Sequence, residues 1–145
     1  MGYTLRNLRD IKDSAPDYNL ADTQEARFAT DALNARQTGV AYLVVKPGHR
    51  VPYGHHHHEV EEVYVVIGGS GRLLLDDEWV EVSELDAICM SPEVRRGIEA
   101  GPDGLTYLAF GPRKKGDAEM LLDFWKQAGS AEEAEGAIPP ASPPW

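Results

Sequence analysis

The chain has 145 residues, of which 42% are hydrophobic, and its formal net charge is −10 at pH 7. This size and composition suit a single globular domain with one core, whereas the acidic excess argues against nucleic acid or an anionic membrane surface as a partner, since both would be repelled. One cysteine excludes an internal disulfide, and the lack of a long apolar run or a signal-peptide pattern leads us to expect no membrane association and cytoplasmic residence.

The N-terminal part of the chain, residues 1–36, predicts an arm that packs on the rest of the domain or on a neighbouring subunit. Asp22 or Thr23 is placed to cap a short helix over residues 25–33. Because the apolar spacing in that segment is irregular, a loop is the alternative.

Residues 37–112 predict the folded core, a series of short strands separated by turns. The predicted strands cover residues 40–46, 61–67, 72–75, 79–82, 87–90, 94–98 and 105–110, with glycine-rich turns at 68–71 and 101–104. Cys89 lies in one of these strands, where we expect a small buried residue. Many short strands at such intervals predict an all-β fold, either a sandwich or a barrel.

Residues 113–129 predict a basic linker and then a C-terminal helix over residues 118–128, capped by Asp117. Leu121, Phe124 and Trp125 form an apolar stripe along this helix. Docking on its own barrel and a dimer contact are equally good interpretations of the stripe. The acidic, proline-rich residues 130–145 predict a disordered tail.

Four consecutive histidines precede the strand predicted over residues 61–67. Side chains alternate between the two faces of an extended segment, so His55 and His57 project to one side, and His56 and His58 project to the other. Glu62 lies in so apolar a strand that an unpaired carboxylate there would be costly. A cation shared with two imidazoles would offset that cost, and we therefore predict one divalent metal ion on His55, His57 and Glu62.

Alternatives to this metal site stay open. A polar hairpin end without metal is one, and a shift of register by one residue, which would bring His56 and His58 to Glu62, is another. A purification tag is disfavoured because these histidines lie inside the chain and tags lie at termini.

The same residues resemble the first motif of the cupin superfamily, Gly-x5-His-x-His-x(3,4)-Glu-x6-Gly. The motif falls on Gly48, His55, His57, Glu62 and Gly69, with six residues rather than five between Gly48 and His55. The resemblance implies a small double-stranded β-helix, also called a cupin or jelly-roll barrel, with the N-terminal arm and the short C-terminal helix attached. It also implies one central divalent metal ion (iron, manganese, nickel, zinc or copper) and a homodimer.

The second cupin motif, Gly-x5-Pro-x-Gly-x2-His-x3-Asn, is degenerate in this chain. Leu85, Ser91, Glu93 and Arg96 stand where the family has Gly, Pro, Gly and His, and no histidine follows His58. Two histidines and one carboxylate still match the ligand sets of some iron and zinc sites. A guanidinium is permanently charged, so an inward-pointing Arg96 is predicted to bind an anionic group of the substrate. A surface position is the alternative for Arg96.

These expectations describe a metal-binding single-domain cupin. The first hypothesis is a metal-dependent enzyme, dioxygenase-like or isomerase-like, that acts on a small organic acid, with Tyr53 or Tyr64 as a hydrogen-bond donor to the substrate beside Arg96. The second is a non-catalytic module that binds a small ligand with weak or no metal, since a fold alone does not decide function. A third is an interaction role through the C-terminal helix and tail.

Overall fold

The computed structural model describes residues 2–128 of the chain. Eight strands form one curled sheet: β1 Gln24–Phe28, β2 Thr38–Val45, β3 Gly54–His57, β4 Glu62–Leu75, β5 Glu78–Ser83, β6 Ala87–Met90, β7 Arg96–Pro112 and β8 Ala118–Leu121. Two short 3-10 helices, Leu8–Asp10 and Ala15–Tyr18, precede the sheet, and the helix α1, Phe124–Gln127, follows it. The predicted all-β class is therefore confirmed. No helix within residues 2–128 is both long and apolar enough to cross a membrane.

Strand β7 is the central element of the sheet. On one side it pairs with β2 and, at its first residue, with β3; on the other side it pairs with β4 along most of its length. Strands β5 and β6 continue the sheet beyond β4, while β8 pairs with β3 and β1 pairs with β2. All of these pairings are antiparallel, and the curled sheet encloses an apolar core.

The two longest strands correct the sequence prediction. Residues 61–67 and 72–75 were expected to be separate, but β4 continues through residues 68–71, and β7 likewise continues through residues 101–104. The register shifts beside these glycines, so they bend the strand as β-bulges and do not end it. Gly69 has a φ of 70°. A Cβ there would lie 2.0 Å from the carbonyl oxygen of Gly104, so only glycine permits this approach.

Two segments predicted to be helical are strands. Residues 24–28 form β1, because their side chains alternate between core and surface and their backbone pairs with β2. Residues 118–121 form β8 against β3, so the predicted helix over residues 118–128 is reduced to residues 124–127. In both segments the hydrogen-bonding edge of a neighbouring strand outweighs local helix propensity.

Cys89 is exposed and not buried as predicted. It lies on the short strand β6, where Met90 is buried and Ile88 is half-buried. The period of two in a strand therefore turns the thiol outward.

Helix α1 docks on the barrel of its own chain, one of the two interpretations of its apolar stripe. The ring of Phe124 lies over Gly54 and Gly97, where an added Cβ would come within 2.4 Å and 2.2 Å of ring atoms. The indole Nε1 of Trp125 donates a hydrogen bond to the carbonyl oxygen of Val51 at 2.7 Å. The two glycines thus provide room for an aromatic ring that fixes the helix.

Aromatic and charged side chains surround this helix. Trp125 stacks on Trp79 with ring centroids 6.0 Å apart, the guanidinium of Arg50 lies 4.2 Å from the Trp125 ring, and that of Arg72 lies 3.8 Å from the Trp79 ring. The carboxylate of Glu99 forms ion pairs with both arginines. Cation–π contacts and ion pairs therefore connect α1 to the sheet.

The predicted division of the chain into an arm (1–36), a barrel (37–112), a linker with helix (113–129) and a tail (130–145) stays a prediction. Strand β1 lies within the predicted arm, and β8 lies within the predicted linker and helix. The predicted tail lies outside the described residues.

We expect Gly69→Ala to destabilise the chain far more than Gly48→Ala. Both residues have a positive φ, which costs an L-residue about 1–2 kcal/mol, but a Cβ at Gly48 meets nothing within 4 Å. At Gly69 the clash with the Gly104 carbonyl adds roughly 1–3 kcal/mol of overpacking. Urea denaturation followed by circular dichroism measures both losses, and equal losses would contradict the steric argument.

Candidate functional site

His55, His57 and Glu62 come together inside the barrel. His55 Nε2 lies 3.2 Å from Glu62 Oε1, and His57 Nε2 lies 3.5 Å from Glu62 Oε2. One potential ligand atom from each residue lies within 4.8 Å of the other two. The side chains of His57 and Glu62 are each only 2% exposed. The structure thus places the three predicted metal ligands in one buried cluster, which we call the inner cluster.

The alternation of side chains along β3 explains this arrangement. His55 and His57 turn toward Glu62, at the start of β4, while His56 and His58 turn outward and contact Glu119 of β8. The structure therefore does not adopt the alternative register, in which His56 and His58 would contact Glu62.

Arg96 also contacts the carboxylate of Glu62. Its Nη1 donates to Glu62 Oε1 at 2.9 Å, and its Nε and Nη2 donate to the carbonyl oxygens of Ser91, Pro92 and Val94 at 2.9–3.2 Å. The side chain is 0% exposed. Arg96 therefore points inward, but most of its N–H groups already have acceptors in the protein. Its predicted role as an anchor for an anionic substrate stays a prediction that these contacts do not favour.

The surroundings shift the pKa values of Glu62 and His55 in the inner cluster. Burial alone would raise the pKa of the Glu62 carboxyl, but the hydrogen bond with His55, the nearby ring of His57 and the charge of Arg96 outweigh burial, so that pKa lies well below its usual range. Burial lowers the pKa of His55, although Glu62 opposes this effect. Glu62 is thus a carboxylate and His55 a neutral imidazole at neutral pH, the forms in which both residues bind metal ions.

The unsatisfied ring nitrogens of His57 favour a bound metal ion. Both of its ring nitrogens are buried and have no hydrogen-bond partner within the described part of the chain. Such an unsatisfied group is costly, and a cation bound by His57 Nε2 and the Glu62 carboxylate would satisfy Nε2. Two imidazoles and one carboxylate fit a divalent transition metal ion. The permanent charge of Arg96 beside Glu62 lowers the affinity of that site.

Asp117 is a site residue that the sequence did not reveal. Its carboxylate accepts hydrogen bonds from the backbone N–H groups of Glu59 and Val60 at 3.0 Å, and its Oδ2 lies 3.4 Å from Nδ1 of His57. A carboxylate behind an imidazole orients the ring and directs the other nitrogen toward its partner. Asp117 was predicted only as a helix cap, because no local pattern connects it with a histidine 60 residues earlier.

A cavity of about 80 Å³ lies beside the inner cluster. Of the predicted site residues, His55, Glu62, Tyr53 and Tyr64 line it, whereas His57 and Arg96 do not. The other lining residues are Tyr18, Leu20, Gln24, Ala26, Phe28, Leu43, Val51, Ile98, Tyr107, Ala109 and Met120. The wall is thus mostly apolar, and it contains no lysine or arginine among the residues that the structure describes.

The polar groups in this wall are suited to hydrogen bonding. Burial raises the pKa of Tyr53 to about 12 and places the pKa values of Tyr64 and Tyr107 well above their usual range, so all three hydroxyls stay neutral donors. The side-chain oxygen of Gln24 is buried and lacks a hydrogen-bond partner within residues 2–128. Gln24 was missed because its strand β1 was not predicted.

Comparison with known families identifies the fold. The family model described as the cupin domain matches residues 41–107. The chain contains a cupin domain over these residues. Comparison with curated proteins gave no match.

Solved structures agree with this cupin assignment. A cupin protein from Bacteroides fragilis has a TM-score of 0.64 at 21% identity, over 79% of this chain and 87% of that one. The polyketide cyclase RemF from Streptomyces resistomycificus has a TM-score of 0.67 at 22% identity, over 80% and 83%. A sugar phosphate isomerase from Silicibacter pomeroyi has a TM-score of 0.63 at 20% identity, over 77% and 76%. At these identities the likeness shows the fold alone, and it confirms the predicted double-stranded β-helix.

The backbone conformation of this chain explains why glycine suits certain positions of the cupin motifs. Gly48, Gly69 and Leu85 occupy motif positions that were matched to glycine, and all three have φ between 70° and 72°. Leu85 therefore keeps the left-handed conformation at a position where its side chain is exposed.

We expect Arg96→Met to lower the free energy of unfolding by about 3–5 kcal/mol, because it leaves the buried Glu62 carboxylate without its cationic partner. Arg95→Met is the matched control: Arg95 is only half-buried, and its loss should cost about 1 kcal/mol or less. Adding Glu62→Gln to Arg96→Met should recover part of the loss. Denaturant titration of the four proteins measures these differences, and equal losses for the two arginine variants would refute the assignment.

Proposed function

We propose that this cupin binds one divalent metal ion through His55, His57 and Glu62 and acts as an enzyme on a small molecule held in the adjoining cavity. The observation that supports the proposal most directly is the buried His57, whose ring nitrogens are unsatisfied beside an ionised Glu62. When bound, such an ion supplies a Lewis acid that polarises an oxygen of the substrate or provides a site for O₂.

The cavity supports a substrate with one polar end and a mostly apolar body. Its polar groups are the inner cluster at His55 and Glu62, the tyrosine hydroxyls and the amide of Gln24, and the remaining wall is apolar. A free carboxylate would meet an ionised Glu62 and no cationic side chain in this lining. We therefore narrow the predicted class of small organic acids to molecules whose polar end is a hydroxyl or carbonyl group.

The protein's own residues have separate tasks in this proposal. Asp117 orients His57, Arg96 keeps Glu62 ionised, and the hydroxyls of Tyr53 and Tyr64 donate hydrogen bonds to the polar end of the substrate. The apolar wall excludes water and fixes the body of the substrate.

The polyketide cyclase and the sugar phosphate isomerase with this fold show that cupins serve reactions of small molecules, and isomerase or dioxygenase chemistry remains the predicted type. The predicted homodimer and cytoplasmic location also remain proposals.

Metal analysis tests the inner cluster. Untagged protein with His55→Ala and His57→Ala should contain one equivalent of divalent metal less than the wild type, as measured by elemental analysis after loading and desalting. His49→Ala is the matched control, since it removes an exposed histidine that lies outside the inner cluster and should keep the metal content of the wild type. If the inner variant retained as much metal as the wild type, the proposed metal site would be excluded.

The second candidate function is a non-catalytic module that binds a small ligand without metal. The ion pair between Arg96 and Glu62 favours it, because Arg96 already neutralises the carboxylate that a metal ion would otherwise balance.

A thermal-shift screen of neutral hydroxylated and carbonyl compounds, with and without added metal, separates the two candidates. For the enzyme we expect Tyr64→Phe to lower turnover of a stabilising compound about tenfold or more, since one hydrogen bond to a reacting polar group is worth about 1.5 kcal/mol. Stabilisation by a compound that is never consumed, with or without metal, would favour the binding module.

A further inference from the structure

A second cluster of potential metal ligands lies on the outer face of β3 and of His58, the residue that follows it. His56 and His58 project from the face opposite to the inner cluster, and Glu119 of β8 lies between them. We call His56, His58 and Glu119 the outer cluster. None of its members takes part in the cavity or in the site proposed above.

The pairing of the two strands creates the outer cluster. His56 and Glu119 are directly opposed in the antiparallel ladder between β3 and β8. His56 Nε2 lies 3.1 Å from Glu119 Oε2, and His58 Nε2 lies 3.5 Å from the same oxygen. The two imidazole rings have centroids 5.3 Å apart, and one ligand atom from each residue lies within 4.8 Å of the others.

The contacts of His56 direct its outer nitrogen toward Glu119. Its Nδ1 lies 3.0 Å from the carbonyl oxygen of His57. Because a carbonyl oxygen only accepts, Nδ1 is the donor in this contact. Nε2, on the other side of the ring, lies 3.1 Å from Oε2 of Glu119. A backbone acceptor at Nδ1 is the usual support of a metal-binding imidazole.

The outer cluster is open to solvent. The side chain of His56 is 21% exposed, and those of His58 and Glu119 are each 54% exposed. An ion can therefore enter directly and keep water in its remaining coordination positions. The formal net charge of −10 raises the local concentration of cations.

We propose that His56, His58 and Glu119 form a second, solvent-exposed site for a divalent transition metal ion of the zinc type. Two imidazoles and one carboxylate are ligands that such ions accept. The ion would join β3 to β8, two strands that are distant in sequence. Asp117, which contacts His57, lies just before β8, so an ion on the outer cluster also stabilises the strand pair that positions the inner histidine.

Zinc titration of untagged, metal-free full-length chain by isothermal calorimetry tests this site. The wild type should bind two equivalents, and Glu119→Gln should bind one of them as tightly as the wild type and the other more weakly, because it removes an outer ligand and leaves all five histidines in place. Glu84→Gln is the matched control, since it removes another exposed carboxylate in the turn after β5 and should leave two equivalents. We expect Glu119→Gln to weaken the outer equivalent at least as much as loss of a supporting partner does, roughly 10–100-fold.

This experiment tests the proposed outer site separately from the proposed inner site. If Glu119→Gln bound zinc with the same stoichiometry and affinity as the wild type, a histidine run would be binding zinc without Glu119, and the outer site would be refuted. A wild type with one equivalent that survives Glu119→Gln but is lost in His55→Ala with His57→Ala would also refute it. One equivalent lost only in Glu119→Gln would instead support the outer site and exclude the inner one. Circular dichroism confirms that each variant is folded.

Discussion

The buried carboxylate of Glu62 is the constraint on which the interior of this barrel depends. An ionised group in an apolar interior is stable only when it is paired and hydrogen-bonded. Arg96 and His55 meet Glu62 Oε1 at 2.9 Å and 3.2 Å, and His57 lies near Oε2. Because Arg96 is a permanent cation, the barrel balances this charge even without a metal ion. Folding and metal binding are therefore separable in this chain, whereas a site without Arg96 would need its ion to neutralise the carboxylate.

The four histidines of β3 and the residue after it give one short segment two chemically different faces. Its inward histidines meet the ionised Glu62 in a nearly dry interior, and its outward histidines meet Glu119 in water. The backbone between them is shared, so a displacement of β3 relative to β8 moves both sets of imidazoles together. Asp117 strengthens this link, because it bonds to the backbone that follows β3 and contacts His57 from outside the cavity.

Much of the candidate site could be predicted from the sequence, because its ligands lie close together in the chain and side chains alternate in a strand. The all-β class could also be predicted, because its strand-like segments are local features of the sequence. Strands β1 and β8 could not be predicted, since their conformation depends on the free edges of β2 and β3 and not on their own residues. The contacts of Arg96 and Asp117 were also hidden, because each joins residues that are distant in sequence. Gln24 was missed together with β1, although its unsatisfied oxygen lies in the cavity wall.

The stacked pair of Trp79 and Trp125 has a practical consequence. Both indoles lie beneath a guanidinium, and one of them belongs to the C-terminal helix while the other belongs to β5. Separation of the helix from the barrel would change the surroundings of both indoles at once. In a Trp145→Phe variant, the ultraviolet emission of these two side chains is therefore an intrinsic optical reporter of whether helix α1 is seated on the barrel, and it needs no label and no occupant in the barrel.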